Sequence, residues 1–410
     1  MSSEKFIKNR AALITLIAAS LVVLLSLGVR QTFGLFFMDF NRSLSISNTE
    51  FGLAIGIQML MWGISGPIFG AIADKYGGHK AIIIAFVFFI LGVYLLYTGP
   101  NTGIFFQINL GLLVGIGLGG TAISIPMSIV GKHFPLSNRT IAMSIVTAVG
   151  SFGYFLSPLF TTYSLAKDGW ENTLFLFTIF LLIGFFIAFF VRSPLSTQSI
   201  EKSNDQTTFA AIKEAFKNKS YILLTSGFFV CGFHITLVGT HVPKYVIDRG
   251  LESWTAATIL ALIGLFNIFG SLTSGYLSSI MSKKIILSAI YLLRGVSIVF
   301  FIFLPPSNIS AFIFGASFGF LWLSTVPATS GIVAHIFGTK YLGLLYGIVF
   351  LSHQIGSFFG AYLGGLFYDL YGSYDYAWYL AIALSVFAGI IHLPIIEKPV
   401  IRPVIIQNSL

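Results

Sequence analysis

Apolar runs of about twenty residues alternate with short polar gaps along nearly the whole chain, and the runs show no period-2 alternation. A bilayer core takes about 20 apolar residues per helix. On that ruler the pattern predicts twelve membrane-spanning helices, at about 12–38, 50–72, 80–98, 103–130, 139–163, 173–192, 220–246, 255–279, 284–304, 309–333, 340–366 and 375–396. An outer-membrane barrel is excluded, because its strands are shorter and alternate. The longest polar stretch, Ser193 to Lys219, divides the spans six and six. The predicted fold is therefore all-α: an N-terminal six-helix half (1–192), a cytoplasmic linker (193–219) and a C-terminal six-helix half (220–410). The second half of the linker, with Lys213, Glu214, Lys217 and Lys219, has the make-up of a short helix lying on the membrane face.

Composition narrows the function. Of 410 residues, 56% are hydrophobic and only 9% are charged, against about 25% charged in a soluble protein, which rules out a single-core soluble enzyme. The 42 glycines suit helices packed closely through small residues. One cysteine, Cys231, leaves no internal disulfide and no Cys-rich zinc site. No phosphate-binding Gly-x-x-x-x-Gly-Lys-Ser/Thr loop and no His-x-x-x-His pair occurs, so no cofactor, no metal and no enzyme activity are expected. The net charge of +9 does not mark a nucleic-acid surface, since its basic residues sit in the gaps between spans. With both termini cytoplasmic, the inner segments hold 17 Lys and Arg and the outer ones four, Arg42, Lys167, Lys244 and Arg249. That bias sets the orientation, and places the chain in the cell inner membrane with Met1 to Arg10 leading into an uncleaved first span.

The halves echo one another. Gly28-x-Arg30 matches Gly232-x-His234, Ser124-Ile-Pro126 matches Thr325-Val-Pro327, Gly70 matches Gly275, and Gly150-Ser151-Phe152 matches Gly356-Ser357-Phe358, all at nearly one offset. Each match joins the span pair that a duplicated six-helix unit requires.

The loop after the second span, Gly70-Ala-Ile-Ala-Asp74-Lys75-Tyr-Gly77-Gly78-His79-Lys80, resembles the signature of the major facilitator superfamily, with Gly78 where a basic residue is common. The resemblance implies a transporter in which Gly70, Asp74, Lys75, Gly77 and Lys80 form a conformational lock. Ser279 takes the Asp position in the second half, so the first-half lock is expected to matter more. Phe33-Gly34-Leu35-Phe36-Phe37 with Gly66-Pro67, and Leu351 to Asp375, are similar to the monocarboxylate porter branch, which includes oxalate–formate exchangers. The eighth span here holds Asn267 and no charge. The animal porters carry an Asp and an Arg in that span and the oxalate-type exchangers a cation, so both the animal route of proton coupling and a compact dianion lose support.

Ionisable residues inside spans are expensive and mark function by default. Arg30, His234, Arg294 and His353 lie within apolar runs, and no Asp or Glu lies deep in any run. A buried guanidinium without an internal carboxylate is a vacancy for an external anion. Arg30 is accordingly the leading substrate ligand, with His234, Trp322, Thr325, His353 and Gln354 as further substrate-binding candidates. His234 pairs with Arg30 through the internal repeat, and His241 lies two turns further on the same face; these two are the proton-coupling candidates. Arg294 falls in the ninth span, which the resemblance makes peripheral. The expected function is secondary transport of a small organic anion, in the first place a monocarboxylate, by a protein working as a monomer. The alternatives are drug or metabolite efflux, which Gly150, Gly153 and Pro158 in the fifth span suggest, and a transporter-like receptor that binds without flux.

Overall fold

The structure, a computed structural model, describes residues 10–100, 102–192, 207–338 and 340–400, and every regular element among them is a helix. Eleven continuous helical stretches are long and apolar enough to cross a membrane. One of them, Ile141–Ala188, folds back at Gly169, whose φ of 78° glycine adopts without strain. Across that turn Ser164 meets Thr173 at 2.9 Å, and the rings of Phe160 and Phe180 lie 5.3 Å apart. The described residues thus make twelve passes, here spans 1 to 12: Arg10–Leu44, Asn48–Tyr76, Gly78–Thr98, Ile104–His133, 136–168, 170–188, Lys219–Asp248, Ser253–Ile280, Lys283–Phe303, Asn308–Phe337, Leu342–Tyr371 and Asp375–His392.

Local sequence sets the ends. Ser47 and Glu50 close a capping box on span 2, Asn218 caps span 7, and Ser307 with Ser310 caps span 10. Gly372, at φ 71°, takes the left-handed turn that ends span 11. Span 12 stops at His392, short of the expected 396, because Pro394 follows and cannot extend a helix. Of the linker, residues 193–206 lie outside the described residues. Its second half forms the helix Thr208–Lys217, with Phe209 and Phe216 exposed.

Three spans are interrupted. Span 1 tightens into a 3-10 turn at Phe33–Phe36, span 4 breaks before Ser124–His133, and span 10 breaks between Phe320 and Thr325. The second pieces of spans 4 and 10 begin at the repeated Ser124-Ile-Pro126 and Thr325-Val-Pro327. A proline in a first turn needs no amide partner and denies one to the preceding turn, so each proline marks its break.

Buried apolar side chains form two clusters, one from Ala12 to Val191 with Ala361 of span 11 added to it, and one from Ala215 to Ile395. Spans 1, 2 and 5 of the first meet spans 7, 11 and 8 of the second. At the face where spans 1 and 2 and spans 11 and 12 connect, Asp369 bonds Asn48 and Thr49. Deeper in, Trp62 and Phe350 meet edge to face at 6.2 Å and Asn267 bonds Ser151 at 3.0 Å. Toward the other face, which carries the basic loops, a methyl group added to Gly343, Gly347 or Gly275 would meet nothing within 4 Å. Among the described residues, these contacts across the boundary lie at the first face and in the middle of the spans.

Candidate functional site

Arg30 lies well inside span 1 and is 8% exposed. Its Nη2 donates to the thioether sulfur of Met59 at 3.2 Å, and its Nη1 to the Gln31 amide oxygen at 3.4 Å. Tyr154 of span 5 lies beside it. A thioether is a weak acceptor and 3.4 Å is a long bond. The ion pairs among the described residues are Lys132–Asp74, Lys244–Asp248 and Lys283–Glu397, so no carboxylate balances Arg30.

The second half approaches the same point. Gln354 of span 11 donates through Nε2 to the Met59 carbonyl at 3.0 Å, and its Oε1 lies 3.0 Å from His353 Nδ1. His353 stacks on Phe350 with ring centroids 5.6 Å apart. Arg30 and Gln354 thus meet at Met59 from opposite halves, and His353 stands behind Gln354. A guanidinium beside amide donors is chemically suited to hold a small anion.

A second polar cluster fills the second half and is joined to His353 through Cys231. Arg294 is 0% exposed. Its Nε and Nη2 donate to the Leu321 carbonyl at 3.2 and 2.7 Å, and Nη2 also to that of Trp322 at 2.5 Å. Those carbonyls end the first piece of broken span 10, so Arg294 satisfies acceptors that the break leaves open. Span 9 lies at the periphery as expected, with Leu293, Val296 and Phe300 exposed, but its arginine turns inward and caps the broken helix. Thr325 Oγ1 meets Cys231 Sγ at 3.2 Å, and Trp322 packs on Phe318 with centroids 5.8 Å apart. Thr325 and Trp322 therefore stand behind His353, beside Arg294, rather than next to Arg30.

The family model of the Major Facilitator Superfamily matches residues 19–326. The chain belongs to the major facilitator superfamily. It is a multi-pass membrane transporter and not an enzyme. Among its relatives, the MFS-type transporter YcxA of Bacillus subtilis is 24% identical over 88% of each chain. Monocarboxylate transporter 13 of Rattus norvegicus is 23% identical over 86% of this chain and 82% of its own. The sialic acid transporter NanX of Escherichia coli is 24% identical over 75% of each. Of solved structures, a bacterial homolog of the human lysosomal transporter Spinster, inward-facing and unoccupied, aligns at TM-score 0.72 and 17% identity over 94% of this chain and 96% of that one. The Escherichia coli fucose:proton symporter FucP aligns at 0.61 and 15% over 93% and 98%.

The superfamily loop is ordered around Asp74. Its carboxylate accepts from Lys132 of span 4 at 2.7 Å, a contact within the first half. Gly77, at φ 97°, ends span 2 and its carbonyl accepts the Lys80 amide at 3.2 Å, while Lys75 lies over the Tyr76 ring at 5.0 Å. Gly70 faces Ile125 of span 4.

The two proton-coupling candidates face elsewhere than expected. His234 Nε2 bonds the Ala381 carbonyl at 2.8 Å and meets Ser385 at 3.3 Å, both in span 12. The repeat places His234 at the depth of Arg30 but turns it into its own half, so the two are not brought together; its basic neighbour is Arg294. His241 Nε2 bonds the Ala361 carbonyl at 2.7 Å and its ring lies 5.2 Å from Tyr374. Sequence reasoning missed Met59 and Tyr154 beside Arg30. Both are apolar or amphipathic residues in apolar runs, and nothing in the sequence separates them from packing.

Proposed function

We propose that this transporter carries a small organic anion, in the first place a monocarboxylate, bound at Arg30 and handed between two six-helix halves (1–192 and 220–410, joined by 193–219) by alternating access. The observation that carries the reading is a buried guanidinium held only by uncharged acceptors, Met59, Gln31 and Tyr154, with no carboxylate, set where the halves meet. The names of two relatives, a monocarboxylate transporter and a sialic acid transporter, point to acidic cargo as well. Gln354 and His353 complete the site from the second half, and His353, rather than His234, is the imidazole that meets the anion. Trp322 and Thr325 shape the wall behind it. The distribution of Lys and Arg supports a cytoplasmic basic face, with both termini in the cytoplasm, the protein in the cell inner membrane and the monomer as the working unit.

The test is a thermal-shift screen of purified protein against short monocarboxylates, followed by uptake of any stabilising acid into proteoliposomes. Bound ligand raises the melting point by mass action. Arg30→Lys keeps charge but loses the planar fork, so affinity falls about tenfold or more, in line with roughly 1.5–3 kcal/mol for a hydrogen bond to a charged group. Unchanged binding and uptake by both Arg30→Lys and Arg30→Ala would falsify the assignment.

A further inference from the structure

Spans 2 and 11 pack side by side across the boundary between the halves and run in opposite directions, so at each face one ends where the other begins. At the first face Asp369, in the last turn of span 11, reaches the first turn of span 2. It accepts from the Thr49 amide at 2.7 Å, the Thr49 hydroxyl at 2.6 Å and Asn48 Nδ2 at 2.7 Å. Amides at a helix start are unpaired within the helix and favour an anion. The capping box uses the Ser47 and Glu50 amides, at 2.9 and 3.1 Å, and leaves the Thr49 amide to Asp369. Tyr374, also from the second half, donates to Asn48 Oδ1 at 3.3 Å. The nearby cation, Lys244, is taken up by Asp248 at 2.7 Å and by the Tyr368 hydroxyl at 2.8 Å. The bonding of Asp369 therefore goes into the other half of the molecule.

We propose that Asp369 is the latch of this face: its carboxylate caps span 2, holds the halves shut there, and has to release before the face opens. At the opposite end the geometry is inverted. Asp74, in the last turn of span 2, is turned to Lys132 of its own half, and the first turns of span 11 stand clear. The latch acts on the equilibrium between states and touches no cargo, so it stands apart from the substrate reading.

The experiment measures spin-label distances by electron–electron double resonance in a Cys231→Ser background. One label pair, at Ser43 and Tyr376, spans the first face; another, at Lys80 and Ser279, spans the basic one. Asp369 is exposed to solvent, so its bonds are partly screened. Asp369→Asn is expected to shift the populations by about tenfold toward a longer 43–376 and a shorter 80–279 distance. Thr49→Val, which removes one donor and keeps the amide, shifts them the same way by less. Asp375→Asn, a neighbouring carboxylate bonded only within its own loop through Ser373, leaves them in place. Wild-type distributions in Asp369→Asn and Asp369→Ala overturn the proposal. Where those variants fail to fold, Thr49→Val decides alone: a shift supports the latch, and none overturns it.

Discussion

Replacing Arg294 by methionine tests whether a buried arginine is a cap or a ligand. The guanidinium holds the Leu321 and Trp322 carbonyls where span 10 breaks, and sits over the Tyr291 and Phe318 rings at 5.4 and 5.9 Å. Methionine fills similar volume but leaves two buried carbonyls unpaired, at about 1–3 kcal/mol each. Against that loss stands the desolvation of the guanidinium, whose Nη1 has no partner among the described residues. The net expectation is a loss of roughly 2–4 kcal/mol, or about 3–6 °C in the melting point of the detergent-solubilised protein, taking a chain of this size. Arg294→Lys retains donors for one carbonyl and should lose about half as much. Fluorescence-detected melting, read beside substrate affinity, separates the roles. A cap lowers the melting point first; a ligand lowers affinity and leaves melting in place. Arg294→Met melting within a degree of wild type, with affinity reduced, would refute the reasoning.

Two further outcomes follow from packing and from charge. A methyl on Gly360 would collide with the Phe233 carbonyl of span 7, so Gly360→Val should cost about 1–3 kcal/mol by overpacking and reduce the monodisperse fraction in size-exclusion chromatography; equal recovery argues against close packing there. Burial works against ionising Glu397, but the Lys284 and Lys283 amides, the Ser282 hydroxyl and Lys283 outweigh it and hold its carboxyl below the ordinary 4.5. A depressed folded-state value stabilises above the unfolded value and is lost as pH falls through the folded one. Wild type should therefore melt above Glu397→Gln at pH 7, with the two curves converging below about pH 4; parallel curves across that range would contradict it.

The twelve passes were legible because hydrocarbon thickness acts on each segment locally, and a run such as 80–98 needs no partner to be read. Proline stands at the breaks of spans 4 and 10, Pro126 and Pro327, whereas the 3-10 turn at Phe33–Phe36 carries no such residue. Arg30 stood out because a charge in an apolar run is costly wherever the helix turns. His234 shows the limit. An internal repeat fixes depth in the membrane, but the direction a side chain takes depends on how each helix is rotated against its neighbours, which is a property of the whole bundle. Asp369 looked like a residue at a span end for a related reason: its partners, Asn48 and Thr49, lie 321 and 320 positions away in the chain.

The two buried arginines carry the same charge in similar surroundings and are put to opposite uses by their acceptors. Arg294 is supplied with two carbonyls by a helix break next door, so its charge is spent inside one half and moves with it. Arg30 is given a sulfur, a long amide bond and the Tyr154 hydroxyl, none of which carries a balancing charge. On the proposed function, closing the halves around Arg30 without an anion leaves an uncompensated buried charge, at an effective cost of several kcal/mol. An anion in the site removes most of this cost, because the closed pair is neutral and doubly hydrogen-bonded. On the proposed function the same vacancy that selects the cargo therefore also suppresses empty turnover, and it does so with no added residue, through the absence of a partner carboxylate.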